Sequence, residues 1–399
     1  MEGGNKNPEK CISFAAVHHA NTNGRSLVIP MKEIKAIINA YDAKSPETKA
    51  ALATVVRVEG SSYRRTGARM LIMDNGTWVG GISGGCLEGD ALKRARLAIS
   101  QAKPTLITYD TTQDDAYQIG VGLGCNGVID VLISPIEADA PKAIELLRSC
   151  LTANRQTHVL LTVTQVSDEV DGLGTGDMFR YTGPNSLAQL ADEAAMTTAT
   201  EKIERYIQKG KSAPVEIPFA DGRVVELFVE VMPPIPHVVL LGQQYDVYPL
   251  VRILNELGWQ STVVANPQKV TQALFGAANA LVAPADFDAI PVDDQTAFVL
   301  MAHDFKTDKA NLPRTLATDA PFVGVLGPRV RTERMLSELA EEGTPVAETD
   351  RMHAPIGLDI GATSPEEIAL SIVAEIRAVL SGRSGSFLRL RQAPIHERD

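Results

Sequence analysis

Apolar positions along the chain follow two different rhythms. MKEIKAIINAYDA, from residue 31, sets Ile34, Ile37, Ile38 and Tyr41 at helical spacing, and the ordered chain is read to begin there. Two apolar or β-branched runs follow, at 51–58 and 69–73. Asp74-Asn75-Gly76 is a turn signal, and a third short strand starts at 77. Residues 86–102 return to helical spacing at Leu87, Ala91, Leu92, Ala95 and Ala98, with Ser83 as a candidate cap. Strand runs at 105–109 and 128–133 enclose the polar stretch DTTQDDAYQIGVGLGCNG. A helical stretch at 142–151 precedes strands at 158–165 and 223–231, and 170–200 reads as irregular, then helical.

After MPPIP, a stiff extended linker at 232–236, the rhythm changes. HVVLLG, residues 261–265, TAFVLMAH and PFVGVLGP are short apolar strands, with helices fitting at 246–257, 268–276, 306–318 and 331–342. Strands alternating with helices predict a parallel, doubly wound sheet. Ser364, Pro365, Glu366 and Glu367 mark the start of a last helix that runs to Gly382. The fold class is α/β. It comprises a polar arm (1–30), a mixed α/β domain (31–231), the linker, a Rossmann-like parallel-sheet domain (237–383) and a tail (384–399).

Composition narrows the function. The 399 residues are 44% hydrophobic and 22% charged, as in an ordinary globular protein. No run approaches the ~20 apolar residues of a membrane span, and the N-terminal stretch lacks the features of a signal peptide, so neither a membrane nor export is expected. A net charge of −11 argues against nucleic acid as a partner. Cys11, Cys86, Cys125 and Cys150 form no CxxC and no zinc-finger spacing, which suits a reducing cytoplasm.

Three loops carry candidate chemistry. GGISGGCLEGD, at 80–90, frames Cys86 with glycine. At Ser83-Gly84-Gly85-Cys86 a strand passes into a helix, where free backbone N–H groups and the helix dipole favour an anion or a thiolate. The plainer alternative is a tight turn with a small packed cysteine. Gly122-Leu123-Gly124-Cys125-Asn126-Gly127 repeats the theme, and the two cysteines are alternatively a redox pair. In the third loop, 60–69, Arg64, Arg65 and Arg69 with Ser61 and Ser62 suit a phosphate, or form a solvated surface loop. The Rossmann-like half has Gly242-Gln243-Gln244-Tyr245-Asp246 in place of GxGxxG, and its second strand ends Ala265-Asn266-Pro267 without the acid that holds a ribose. NAD(P) is therefore not expected. His303-Asp304 follow a strand at the edge where such folds bind ligands, although a lone histidine there is often structural.

Taken in order, GSSYRRTGARM, GGISGGCLEGD, GLGCNG, FVEVMPPIPHVVLLG, MAHDFKTD, FVGVLGPRVR and APIGLDIGATSPEEIALSIVAEI resemble the XdhC/CoxI family of maturation factors for molybdenum hydroxylases. The resemblance implies a CoxI-like N-terminal domain and a Rossmann-like C-terminal one. It implies a chaperone rather than a turnover enzyme. Such a protein binds molybdenum cofactor (molybdopterin), supports its sulfuration and delivers it to an apo-hydroxylase of the xanthine dehydrogenase or CO dehydrogenase type. A cysteine desulfurase-type sulfur donor is the implied second partner, and a homodimer is open. Carried over by motif, the cofactor-binding positions are Cys86 and Cys125, as contacts to molybdenum, with Ser83, Gly84, Gly85, Gly122, Gly124, Arg64 and Arg65, and in the second domain His303 and Asp304. The family's G-A-G-H type loop is replaced here by Gly242-Gln243-Gln244-Tyr245. The competing reading is an NAD(P)- or flavin-dependent oxidoreductase built on the second domain.

Overall fold

The computed structural model describes residues 31–112, 127–152, 155–167, 172–270, 276–346 and 350–393. Strands β1 (Ala50–Gly60), β2 (Arg69–Met73), β3 (Trp78–Gly80), β4 (Thr105–Asp110) and β5 (Gly127–Ile136) form an antiparallel sheet in the order β3-β2-β1-β5-β4. Its central strands read as continuous apolar runs because both faces are covered. Helix α2 (Glu88–Gln101) lays Ala91, Ala95 and Ala98 against Ala51, Ala53 and Val55, small residues on both sides that allow close approach. On the opposite face, Ala50, Leu52 and Leu71 meet α1 (Met31–Ala43) and α3 (Lys142–Thr152).

A second antiparallel sheet holds β6 (His158–Val166), β7 (Met178–Tyr181), β8 (Ala213–Pro218) and β9 (Val224–Met232), in the order β7-β6-β9-β8. Helix α4 (Glu193–Lys209) packs on it through Ala195, Ala199 and Ile203. The stretch 31–231 thus contains two sheets. They are tied by a fully buried pair, Arg69 of β2 with Glu230 of β9.

The third sheet is wholly parallel. Its strands are β10 (His237–Leu241), β11 (Gln260–Val264), β12 (Ala280–Val282), β13 (Thr296–Leu300), β14 (Phe322–Val325) and β15 (Met352–His353), in the order β12-β11-β10-β13-β14-β15. Helices α5 (Val247–Glu256) and α8 (Pro365–Leu380) cover one face, and α6 (Phe305–Leu316) and α7 (Arg329–Glu341) the other. A capping box between Ser364 and Glu367 starts α8, as its sequence announces. The helix read at 268–276 falls mostly on 271–275, outside the described residues, and 267–269 form a turn. Arg155 bridges to Asp293 at 2.8 Å, and Lys32 of α1 to Glu256 of α5 at 3.0 Å, so polar ties join the third sheet to the rest.

Candidate functional site

Sheet order brings the sequence-distant loops to one place. β1 ends at Gly60 opposite Gly127, where β5 begins; β4 ends at Asp110 opposite Val128; β3 ends at Gly80 opposite Met70. Neighbouring strands run antiparallel, so the loops 61–68 and 81–87 and both ends of the β4–β5 connection lie at the same end of the sheet. Residues 113–126 are outside the described set, and Gly122, Gly124 and Cys125 with them. The anchors of that connection are described. Thr111 Oγ1 donates to the Gly127 carbonyl at 2.7 Å and accepts from its N–H at 3.1 Å. A Cβ on Gly127 would stand 2.5 Å from the Glu59 carbonyl and 2.6 Å from that of Ser61, so only glycine permits this approach.

The loop of Cys86 is internally braced. The amides of Gly85, Cys86 and Leu87 donate to Ser83 Oγ at 3.2, 3.1 and 3.0 Å. Those of Ile82 and Ser83 donate to Glu88 Oε1 at 3.2 and 2.8 Å, and the Ser83 hydroxyl donates to Glu88 Oε2. This corrects the expectation of free N–H groups awaiting an anion: five of them already have acceptors. Ser83 is not the N-cap of α2 either. That position is Leu87, and Ser83 closes the turn before it. Burial pushes the Glu88 carboxyl up, but the hydrogen bonds from Ser83, from its own amide and from Ile82 prevail and hold it below its ordinary value. Its charge also meets the positive end of α2. Glu88 was not singled out from the sequence, although an acid at the first helical position five residues after Ser83 is a visible signal. Cys86 itself is a free, half-buried thiol beside two exposed glycines. Cys150 is buried; burial pushes its thiol up, and Arg180 Nη2 sits 3.4 Å from its sulfur.

The arginine loop is also largely committed. Arg64 Nη2 pairs with Glu33 Oε2 of α1. Glu33 Oε1 accepts from the Arg69 amide at 3.0 Å. The Arg69 guanidinium, which the sequence placed with the phosphate ligands, is instead buried and bidentate on Glu230, with Nη1 also donating to the Gly67 carbonyl at 2.9 Å. Arg65 is half-buried. Between Arg64 and buried Ser62, Tyr63 projects outward, and one edge of its ring packs on Gly84.

In the parallel sheet the chain reverses direction of travel between β10 and β13, which makes that the switch point. Gly242 closes it: a Cβ there would lie 2.4 Å from the Met301 carbonyl. His303 adopts φ 56°, a left-handed conformation rare for a side-chain-bearing residue, and its Nε2 lies 2.6 Å from Asp246 Oδ2. The pair is thus His303 with Asp246, a residue sequence reading passed over. Asp304 is instead the N-cap of α6; its carboxylate accepts from the Thr307 hydroxyl and amide at 2.6 and 2.7 Å, which holds its pKa below the usual carboxylate range. Asn266, where a ribose-binding acid is sought, accepts from the Gln268 amide at 2.9 Å. Cys86 and His303 belong to different sheets. Among the described residues no group of three or more His, Cys, Asp or Glu side chains is placed to hold a metal ion, and no helix is long and apolar enough to cross a membrane.

Fold and site define a two-part protein, a candidate glycine-loop thiol site on an antiparallel sheet followed by a Rossmann-like domain. Family models match both parts: the XdhC and CoxI family over residues 44–110 and the XdhC Rossmann domain over 238–376. The chain belongs to the XdhC and CoxI family. It is similar to a Bacillus subtilis protein described as a probable xanthine dehydrogenase subunit, 29% identical over 83% of this chain and 93% of that one. It is also similar to the molybdenum cofactor insertion chaperone PaoD of Escherichia coli, 22% identical over 85% of this chain and 86% of the other. A crystal structure described as a xanthine dehydrogenase from Bacillus halodurans superposes with a TM-score of 0.66 at 26% identity, covering 89% of this chain and 98% of that one.

Proposed function

We propose that this chain is a maturation factor for a molybdenum hydroxylase. It takes molybdenum cofactor as cargo, supports its sulfuration by a cysteine desulfurase-type donor, and passes it to an apo-hydroxylase of the xanthine dehydrogenase or CO dehydrogenase type. The observation that carries this reading is the convergence at one sheet end of the Cys86 loop, the arginine loop and the anchors of the Cys125 loop. Family membership and the likeness to PaoD support it.

The residues fit such a cargo. A soft, half-buried thiol at Cys86 suits a dithiolene-bound metal, and Cys125 is the second candidate. Gly84 and Gly85 are exposed and leave room for a bulky group to reach the backbone. The phosphate contact falls to Arg64 and Arg65, with Arg64 exchanging Glu33 for the cargo. The protein works in a reducing cytoplasm, where these thiols stay free. An NAD(P)-linked oxidoreductase is disfavoured by Gln243-Gln244 and Asn266 in the second domain.

The test is co-purification from cells able and unable to make molybdenum cofactor, with pterin and molybdenum measured per chain. Cys86→Ser is expected to keep the fold and lose most bound pterin and client activation. Cys150→Ser, which changes a buried packing residue, is expected to bind like the parent. Equal retention in Cys86→Ser and the parent removes the thiol contact at Cys86 from the reading.

A further inference from the structure

Tyr63 is 74% exposed, an unusual state for a large ring on a short, anchored loop. Its neighbours are held on every side. Ser62 is buried, Arg64 is paired with Glu33, and the Gly67 amide donates to the Val55 carbonyl at 2.8 Å. The ring therefore projects from a fixed backbone. A Cβ on Gly84 would lie 3.3 Å from Tyr63 Cγ and 3.5 Å from Cδ1, so the ring rests against the bare peptide of the Cys86 loop. Two residues earlier, the Ser61 backbone is the close neighbour of Gly127, the exit anchor of the Cys125 loop. Tyr63 thus stands between the arginine loop and the Cys86 loop, two residues from the neighbour of Gly127. Among the described residues its ring has no aromatic, cationic or hydrogen-bonding partner.

We propose that Tyr63 is the stacking platform of this site and takes the flat heteroaromatic ring of its ligand, the pterin if the cargo is molybdenum cofactor. The inference rests on the maturation-factor reading for the identity of the ring. Its geometry is independent of that reading. A tyrosine on a held backbone has only two side-chain torsions to fix on binding, and planar ligands with π faces stack on it without needing directional hydrogen bonds. The arrangement divides the cargo between a soft metal end at the thiol and a flat ring at Tyr63, with Gly84 between them carrying no side chain to obstruct either.

The experiment uses the full chain and molybdenum cofactor released under argon from a purified molybdenum hydroxylase. Binding is read as pterin retained after desalting, oxidised to its fluorescent derivative, and as a titrated dissociation constant. Tyr63→Phe and Tyr63→Trp are expected to bind within about threefold of the parent, and Tyr63→Ala about tenfold or more weakly. Tyr63→Leu, which keeps apolar bulk without a π face, is expected to fall with Tyr63→Ala. Thermal midpoints should be unchanged, because the side chain is exposed. Tyr63→Ala or Tyr63→Leu binding like a binding-competent parent overturns the platform and leaves the maturation reading standing. A parent that retains no pterin overturns that reading, and the pterin assignment with it.

Discussion

Glu88→Ala removes the acceptor that gathers the Cys86 loop, and its effect can be worked from three hydrogen bonds. The amides of Ile82 and Ser83 and the Ser83 hydroxyl all lose their partner. Ile82 and Ser83 are buried, so water cannot fully replace it. A hydrogen bond to a charged acceptor contributes about 1.5–3 kcal/mol, and a buried donor left unpaired costs about 1–3 kcal/mol. These figures overlap, since they describe the same groups, and about 3 kcal/mol for local opening is a fair sum. Glu88→Gln keeps one carbonyl for the amides and should cost about 1 kcal/mol. In hydrogen exchange, 3 kcal/mol is roughly a 100-fold acceleration for amides of the loop. Mass-resolved alkylation of Cys86 should rise in parallel, because Ser83, freed from Glu88, no longer holds the Cys86 amide. The carboxyl is held below its ordinary value, so its contribution is present above the ordinary carboxylate range and is lost as pH falls through the lowered one. The parent loop should therefore open in acid, and Glu88→Gln should show a weaker pH dependence. Unchanged exchange and alkylation in Glu88→Ala would refute the brace.

Two further outcomes concern the joints between sheets. Glu230→Gln strands the Arg69 guanidinium, where Glu230 outweighs the effect of burial and raises its pKa, and should cost about 3–5 kcal/mol, while Arg69→Met with Glu230→Leu should recover most of the loss; equal melting midpoints for the single and double variants would contradict this. His237, at the start of β10, is pushed down to about 4 by burial and by the charge of Arg155. The unfolded chain takes up that proton first, near pH 6.5, so stability is complete above about 6.5 and falls by about 3 kcal/mol as pH drops toward 4. His237→Asn should flatten the melting midpoint of the third sheet over that window, and an identical acid loss in the variant would place the sensitivity elsewhere.

The fold was legible wherever burial imposed a period. α1, α2 and α8 show theirs, and β10, β13 and β14 read as strands because both faces are covered. β7, β8, β12 and β15 left no such mark. β7, β12 and β15 are two to four residues long and half-buried for the most part, and β8 carries Pro214 and Pro218, tolerable because it pairs on one side alone. The division of 31–231 into two sheets depends on pairings such as His158 with Met232, which no local window contains.

For the site, residue types could be read and partners could not. Arg64 finds Glu33, Arg69 finds Glu230, and His303 finds Asp246, pairs separated by 31, 161 and 57 positions. Each of these side chains looked available to a ligand because its carboxylate partner is invisible until the chain folds. Compensation changes what the site can favour. With Arg64 and Arg69 paired and five loop amides closed on Ser83 and Glu88, the Cys86 and arginine loops expose an aromatic ring and two bare glycines beside a half-buried thiol. To reach Arg64, free phosphate must displace the Glu33 carboxylate. If the site takes the proposed cargo, a ligand that brings a flat ring and a soft metal would gain stacking and a sulfur contact first, and its phosphate end would then compete with Glu33 from close range. On the proposed reading, the order of those contributions would let the loops distinguish a composite cofactor from the abundant simple anions around it.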